Sequence, residues 1–198
     1  MLVIKNLYLK NILYNINLKV KNGLILGIFG SSGSGKSSLL KSIKGFYDNW
    51  TGEITYNNRK INKYDSSIGY ILQEPIFFLH MSVMENLLLT NKSRDEINAK
   101  LKSLNLEYLL LKNINNLSGG ERQKLNIVRT LLMNPRILLI DEPTSAMDEE
   151  NRKFFYNVIK KLNEDEKITI ILVSHDNESK LICNKIIYIS DGKIINND

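Results

Sequence analysis

The apolar run at residues 24–29 breaks into Gly30-Ser31-Ser32-Gly33-Ser34-Gly35-Lys36-Ser37, and this junction constrains the fold more than any other stretch of the chain. A strand with no polar alternation is buried on both faces, which places it inside a parallel sheet covered by helices. The glycines that follow permit a tight loop whose backbone N–H groups can approach anionic oxygens. A helix is expected to open at Ser37-Ser38 and to stop near Gly45. Lys36 offers a cation to phosphate oxygens, and the Ser37 hydroxyl can ligate Mg²⁺. A plain Gly/Ser turn has no reason to carry Lys and Ser at these two positions.

Buried-strand patterns recur at residues 68–72, 137–140 and 168–173, separated by helical patterns at 121–133 and 151–162. Strands alternating with helices imply a parallel sheet with both faces covered. Residues 2–20 alternate loosely and read as half-buried antiparallel strand. Residues 52–56, Asn57-Asn58 and 60–61 read as a hairpin, and residues 185–189, Asp191-Gly192 and 193–195 as a strand, tight turn and strand. Residues 75–118 differ, with helix-spaced leucines at 84–90, 93–104 and 107–112. The expected organisation is one domain with its core in residues 1–74 and 119–198 and a helical insertion at 75–118.

A chain of 198 residues is large enough to bury roughly 70% of its unfolded surface without a disulfide framework. Cys183 is the only cysteine and is expected to be a buried structural thiol. The opening Met1-Leu2-Val3-Ile4-Lys5-Asn6 has neither the basic leader nor the apolar stretch of a secretory signal. No run approaches the ~20 apolar residues of a membrane span. The 27 Lys and Arg against 21 Asp and Glu give +6, but the lysines are scattered, so solvated faces are expected and no nucleic acid partner.

Two further motifs carry chemistry. Asp141 and Glu142 end the apolar run 137–140, at the carboxyl end of a strand where ligands of parallel sheets gather. Asp141 can hold Mg²⁺ and Glu142 can orient and deprotonate an attacking water. Leu117-Ser118-Gly119-Gly120-Glu121-Arg122-Gln123 places a hydroxyl and two glycines at a helix start, a second arrangement suited to an oxyanion. Either a second ligand or one phosphate chain gripped from both sides would account for two such sites.

Together with Gln73, Ser145-Ala146-Met147-Asp148 and His175, these motifs occur in the order and approximate spacing of ATP-binding cassette (ABC) proteins, which the chain resembles over nearly its whole length. The resemblance implies an α/β P-loop NTPase (RecA-like) core with an N-terminal antiparallel β subdomain and an inserted helical subdomain. It implies that residues 30–38 bind ATP, with Ile12 in apolar contact near the nucleotide. It also implies that Ser37, Gln73 and Asp141 serve Mg²⁺, and that Lys36, Gln73, Glu142 and His175 serve hydrolysis. Ser118, Gly119 and Gly120 would contact the γ-phosphate held by a second cassette, identical or different, with Asp148 linking the two halves. Met147 stands where leucine is usual, a change of similar volume.

The chain departs from the family at the base. The segment Tyr8-Leu9-Lys10-Asn11-Ile12 is several residues short of the loop that usually carries an aromatic residue, leaving Tyr8 and, less so, Tyr14 as candidates. Phe77-Phe78-Leu79-His80-Met81 lies where transporters of the family receive a membrane subunit, and filling the core of the insertion is the equal alternative. The expected function is an ATPase subunit energising a separate transmembrane permease from the cytoplasmic face of the membrane. A soluble ABC ATPase of DNA repair, translation or cofactor assembly is the alternative; a P-loop kinase would have no use for Ser118 to Gly120. No regulatory C-terminal domain is expected, and the cargo is not legible.

Overall fold

The computed structural model of the chain describes residues 1–62, 64–144 and 147–195, so the expectations for Ser145 and Ala146 lie outside the described residues. The first strands, β1 (Leu2–Leu9) and β2 (Leu13–Val20), pair antiparallel from Leu2↔Val20 to Leu9↔Leu13. Leu2, Ile4, Leu7 and Leu9 are all buried, although the step from Ile4 to Leu7 breaks strict alternation. A register shift between those residues restores the face, and Asn6 in the left-handed region (φ 49°) makes it. Two more strands, β4 (Trp50–Tyr56) and β5 (Arg59–Lys60), complete the order β2-β1-β4-β5. Asn57 and Asn58 (φ 48° and 63°) form the two-residue turn between them. Eight of the eleven non-glycine residues with positive φ among those described are asparagines, so this chain turns on Asn where many turn on Gly.

The second sheet has the order β10-β9-β3-β8-β7-β6. Its parallel strands are β3 (Ile25–Phe29), β6 (Ile68–Ile71), β7 (Ile137–Asp141), β8 (Thr169–Val173) and β9 (Lys185–Ser190), and β10 (Lys193–Ile195) returns antiparallel beside β9. Every residue of β3, β7 and β8 is buried. Alternate side chains serve opposite cores. Leu26, Ile28, Ile137, Leu139, Ile171 and Val173 pack with the first sheet and with Leu39, Leu40 and Ile43 of α1 (Lys36–Lys44). Leu138, Ile140, Ile170 and Leu172 pack against two helices, α4 (Gly119–Leu131) and α5 (Glu149–Glu166). The fold thus has helices on both faces of a parallel sheet, as the sequence pattern implies.

Residues of the insertion form a third core with Leu125, Val128 and Leu132 at α4. It contains α2 (Val83–Leu88), α3 (Arg94–Ser103) and 3₁₀ turns at Glu107–Leu111 and Ile114–Asn116. The pattern at 107–112 predicts a helix, and the segment instead forms a five-residue 3₁₀ turn. It is confined between Asn105 at positive φ and the extended Lys112, too short a span to propagate an α-helix. Capping boxes start three helices, with Ser82 and Glu85, Ser93 and Glu96, and Ser118 and Glu121 exchanging side-chain and backbone bonds. Cys183 is half-buried, its thiol donating to the Ser179 carbonyl at 3.1 Å, and burial pushes it up to about 11.

Fully buried Asn86 holds the strap that enters the insertion. Its Oδ1 accepts the Phe78 N–H at 2.9 Å, and its Nδ2 donates to the carbonyls of Phe78 (3.1 Å) and Ser82 (3.0 Å). Asn86→Ala would leave the Phe78 N–H without its acceptor and take the side-chain donor from the Phe78 and Ser82 carbonyls, and should destabilise the chain by about 2 kcal/mol in urea unfolding.

Candidate active site

Four adjacent parallel strands deliver the predicted residues to one edge of the sheet. Gly30 follows β3, His175 lies two residues beyond β8, Asp141 ends β7, and Gln73 lies two residues beyond β6. The register pairs Ile28 with Val173, Val173 with Asp141, and Ile140 with Ile71, so all four chains leave the sheet at the same level. This carboxyl edge is where parallel sheets bind ligands.

The loop from Gly30 to Gly35 uses three glycines at φ 148°, 77° and 103°. A Cβ on Gly33 would meet nothing within 4 Å, so that side of the loop is open. Lys36 opens α1 and is buried, with Nζ donating to the carbonyls of Gly30 (3.0 Å) and Ser31 (2.8 Å). Its pKa is lowered by burial, against the opposing pull of Glu142 and Asp141. The first turn of α1 contains Lys36, Ser37 and Ser38 and no acidic residue to compete for its amides. Ser31 and Ser32 are exposed, whereas Ser34 is buried and its hydroxyl has no partner, a polar atom placed in the wall of the loop. An open concave loop with a buried ammonium at its base fits a phosphate chain.

Ser37 and Asp141 meet across 104 residues of sequence, the hydroxyl donating to Oδ1 at 2.6 Å. Tyr70 donates to Oδ2 at 2.8 Å and so fixes the carboxylate from its other side. Burial, then the Asp141 charge, raise the Tyr70 pKa and keep it a donor. Hard oxygen donors at this spacing fit Mg²⁺. Tyr70 escapes a sequence reading because its partner lies on the neighbouring strand. Glu142 has φ 42°, unusual for a side chain of its kind, and its N–H donates to the Val173 carbonyl at 3.0 Å. That turn brings Oε1 to 2.8 Å from His175 Nε2.

Ile12 reaches the loop through its backbone, its carbonyl 3.2 Å from the position a Cβ on Gly35 would take. Tyr8 and Tyr14 are exposed and lie edge-on to one another with ring centroids 5.8 Å apart. Ser118 caps α4, accepting the Glu121 N–H at 3.2 Å, and both Ser118 and Gly119 are exposed. Gly120 is buried, and a Cβ there would lie 2.4 Å from Nδ2 of Asn151, which in turn bonds Asp148 at 2.9 Å. The structure therefore joins Gly120 to Asp148, while Ser118 spends its bonds on its own helix.

From that helix a polar stripe reaches the Gln73 segment. Gln123 Nε2 donates to the Leu72 carbonyl at 3.0 Å, and Arg129 donates to the Ile76 carbonyl at 2.7 Å with its guanidinium 4.5 Å over Phe77. Gln73 is thus bracketed on both sides by residues held to α4. Beside it is a cleft of about 430 Å³ whose walls include Phe46, Leu72, Leu89, Arg129 and Met133. Phe77 is buried in the insertion core, whereas Phe78 and Leu79 are each 53% exposed, so core filling accounts for Phe77 and not for its two neighbours.

A family profile described as ABC transporter matches residues 13–145. The spermidine/putrescine import ATP-binding protein PotA of Borreliella afzelii (strain PKo) is 35% identical over 193 residues, covering 91% of this chain and 56% of its own length. The chain therefore spans little more than half of that relative. The lipoprotein-releasing system ATP-binding protein LolD of Wigglesworthia glossinidia brevipalpis is 36% identical, covering 92% of this chain and 87% of its own. Among solved structures, the ATP-binding cassette MJ0796 in a dimeric post-hydrolysis state with ADP and Pi superposes with TM-score 0.86 at 31% identity, covering 99% and 97% of the two chains. The structure of cbiO1 from Clostridium perfringens, part of the ABC transporter complex cbiONQ, superposes with TM-score 0.87 at 27% identity, covering 98% and 86%. The architecture shared with them is the anticipated P-loop NTPase core with antiparallel and helical additions.

Arg129→Ala removes the bond to Ile76 and the cation over Phe77. Hydrogen exchange should speed at least tenfold at residues 72–77, while amides of β7 and β8 keep their protection.

Proposed function

The chain belongs to the ABC transporter family of ATP-binding cassettes, a nucleotide-binding family, and on that premise we propose that it is the ATP-hydrolysing subunit of a transporter. It would work with Mg²⁺ and a second cassette and drive a separate transmembrane permease. The observation that carries this reading is the meeting of Lys36, Ser37 with Asp141, and Glu142 with His175 along three neighbouring strand ends. In this reading Lys36 exchanges its loop carbonyls for oxygens of the β- and γ-phosphates, and residues 30–38 supply amides around them. Ser37, Asp141 and Gln73 would hold Mg²⁺, which neutralises phosphate charge when bound. Glu142 accepts the proton of the water that attacks the γ-phosphorus, as the bond to the leaving ADP oxygen breaks. His175 orients that carboxylate.

Ser118, Gly119 and Gly120 serve the nucleotide of the partner cassette, and Asp148 lies at the joint between the two. ATP then favours the closed pair because only closure completes its contacts, and hydrolysis releases it. Residues 75–118 act as a subdomain on a core formed by 1–74 and 119–198. No helix among the described residues is long and apolar enough to cross a membrane. In the proposed reading the permease supplies the spanning part and this subunit sits on its cytoplasmic face. The cleft beside Phe46, Leu89 and Met133, with exposed Phe78 and Leu79 nearby in sequence, favours a permease over the soluble alternative.

Glu142→Gln should keep ATP, accumulate an ATP-dependent dimer in light scattering and lose roughly 10²- to 10⁴-fold in turnover. Rapid hydrolysis by that variant would remove Glu142 as the base. Lys36→Ala should instead weaken nucleotide binding at least tenfold in calorimetry.

A further inference from the structure

Glu142 and His175 both lie just outside the sheet, and their 2.8 Å contact depends on how two loops are held together. One tie is the backbone bond from Glu142 N–H to the Val173 carbonyl. A second comes from Tyr156, in the middle of α5. Its ring is buried against Phe155, edge-on at 5.8 Å, and its hydroxyl emerges between the loops. That hydroxyl donates to Asp176 Oδ2 at 3.0 Å and lies 3.5 Å from Thr144 Oγ1. Thr144 is two residues beyond Glu142, and Asp176 is the residue after His175.

The Asp176 end is rigid. Its N–H donates to the Ser174 hydroxyl at 2.9 Å, and its Oδ1 accepts the Glu178 N–H at 2.9 Å. Only Oδ2 remains for Tyr156, so the phenol engages a carboxylate that cannot turn away. Burial is the largest effect on Tyr156, whose pKa is pushed up to about 12, so the group stays a donor at any ordinary working pH. A cleft of about 320 Å³ lies between the loops, walled by Glu142, Thr144, Arg152, Ser174, His175 and Asp176. Without a tie, the two loops would be free to part across that space.

We propose that Tyr156 is a positioning residue for hydrolysis, its hydroxyl clamping Thr144 to Asp176 and thereby setting the distance between Glu142 and His175. The inference rests on the assignment of Glu142 and His175 to hydrolysis. Tyr156 bonds the loops at Asp176 and Thr144 and is assigned a role through them alone. A misplacement of the pair by less than 1 Å is enough to slow an oriented reaction substantially.

Tyr156→Phe keeps the ring and removes only the clamp. ATP turnover of the full chain should fall about tenfold, with KM and the dissociation constant for ATP unchanged within twofold and the thermal midpoint within a few degrees. In a His175→Ala background the same change should cost less than twofold, because the distance it sets no longer exists. Asp176→Asn removes the charge from the other end of the bond and should slow turnover in the same His175-dependent way. Wild-type turnover in Tyr156→Phe while His175→Ala is impaired would overturn the role of Tyr156 and leave the hydrolytic site standing. An undiminished tenfold loss in the His175→Ala background would mark Tyr156 as merely structural. Unaltered turnover in both Glu142→Gln and His175→Ala would overturn the hydrolytic assignment and this role together.

Discussion

The rest of the structure depends on the close approach of backbone to backbone around the loop at residues 30–35. A Cβ on Gly30 would lie 2.0 Å from the Ile189 carbonyl, and one on Gly192 would lie 2.1 Å from the Ile12 carbonyl. Three distant segments, the end of β9, the β9–β10 turn and the β1–β2 hairpin, therefore wall the loop at distances that leave no room for side chains. Hydrogen bonds close the arrangement: Gly192 N–H donates to the Ser34 carbonyl at 3.0 Å, and Tyr14 N–H to the Gly192 carbonyl at 2.8 Å. The antiparallel sheet is thereby joined to the parallel one at the phosphate loop itself. Lys36 can hold its charge in a buried place because the carbonyls of Gly30 and Ser31 are presented to it by that same framework.

From this anchor the chemistry follows the register of the parallel strands. Consecutive strands in the sheet are far apart in the sequence, so each supplies one kind of group to the common edge: an ammonium and hydroxyl beside β3, an imidazole after β8, two carboxylates at β7 and an amide after β6. Glu142 shows how strain is used there. A side chain at φ 42° costs about 1 kcal/mol or more, and the bond to Val173 together with the contact to His175 holds it in place.

What was legible in the sequence was local. The loop glycines, Lys36, Ser37 and the acid pair announce themselves because the chemistry needs those residue types at fixed offsets after an apolar strand. The strands of the parallel sheet and the helices around them were legible from periodicity to within a few residues. Tyr70, Asn151 and Tyr156 were not, nor was the contact of the Asp191-Gly192 turn with the loop, since each acts on a partner that only the fold brings near or that no offset marks. Tyr70 and Asp141 are 71 residues apart and meet because β6 pairs with β7. The Asn6 bulge escaped for another reason: loose alternation from Leu2 to Leu9 is the visible trace of a register shift, but a sequence pattern does not reveal which residue absorbs it. The 3₁₀ turn at Glu107–Leu111 carries helix-spaced leucines, and the competing term is its length.

The least legible element is the stripe along α4, and it has the widest reach. Gln123 and Arg129 lie on the helix that begins just after Ser118, and their bonds end on Leu72 and Ile76, on either side of Gln73. The Gln123 bond is part-buried and the Arg129 bond is exposed but charge-assisted, each worth about 1 kcal/mol, so parting Gln73 from the helix costs more than thermal energy supplies. A displacement of α4 must then carry the Gln73 segment with it, or break those bonds. The cleft lined by Leu72, Arg129 and Met133 touches the same residues from outside. A partner seated there would press on the stripe itself, and a ligand at Ser118 would press on the end of the same helix. Under the proposed function both occupants would meet the same helix, and any effect of one on the other's affinity would act equally in both directions.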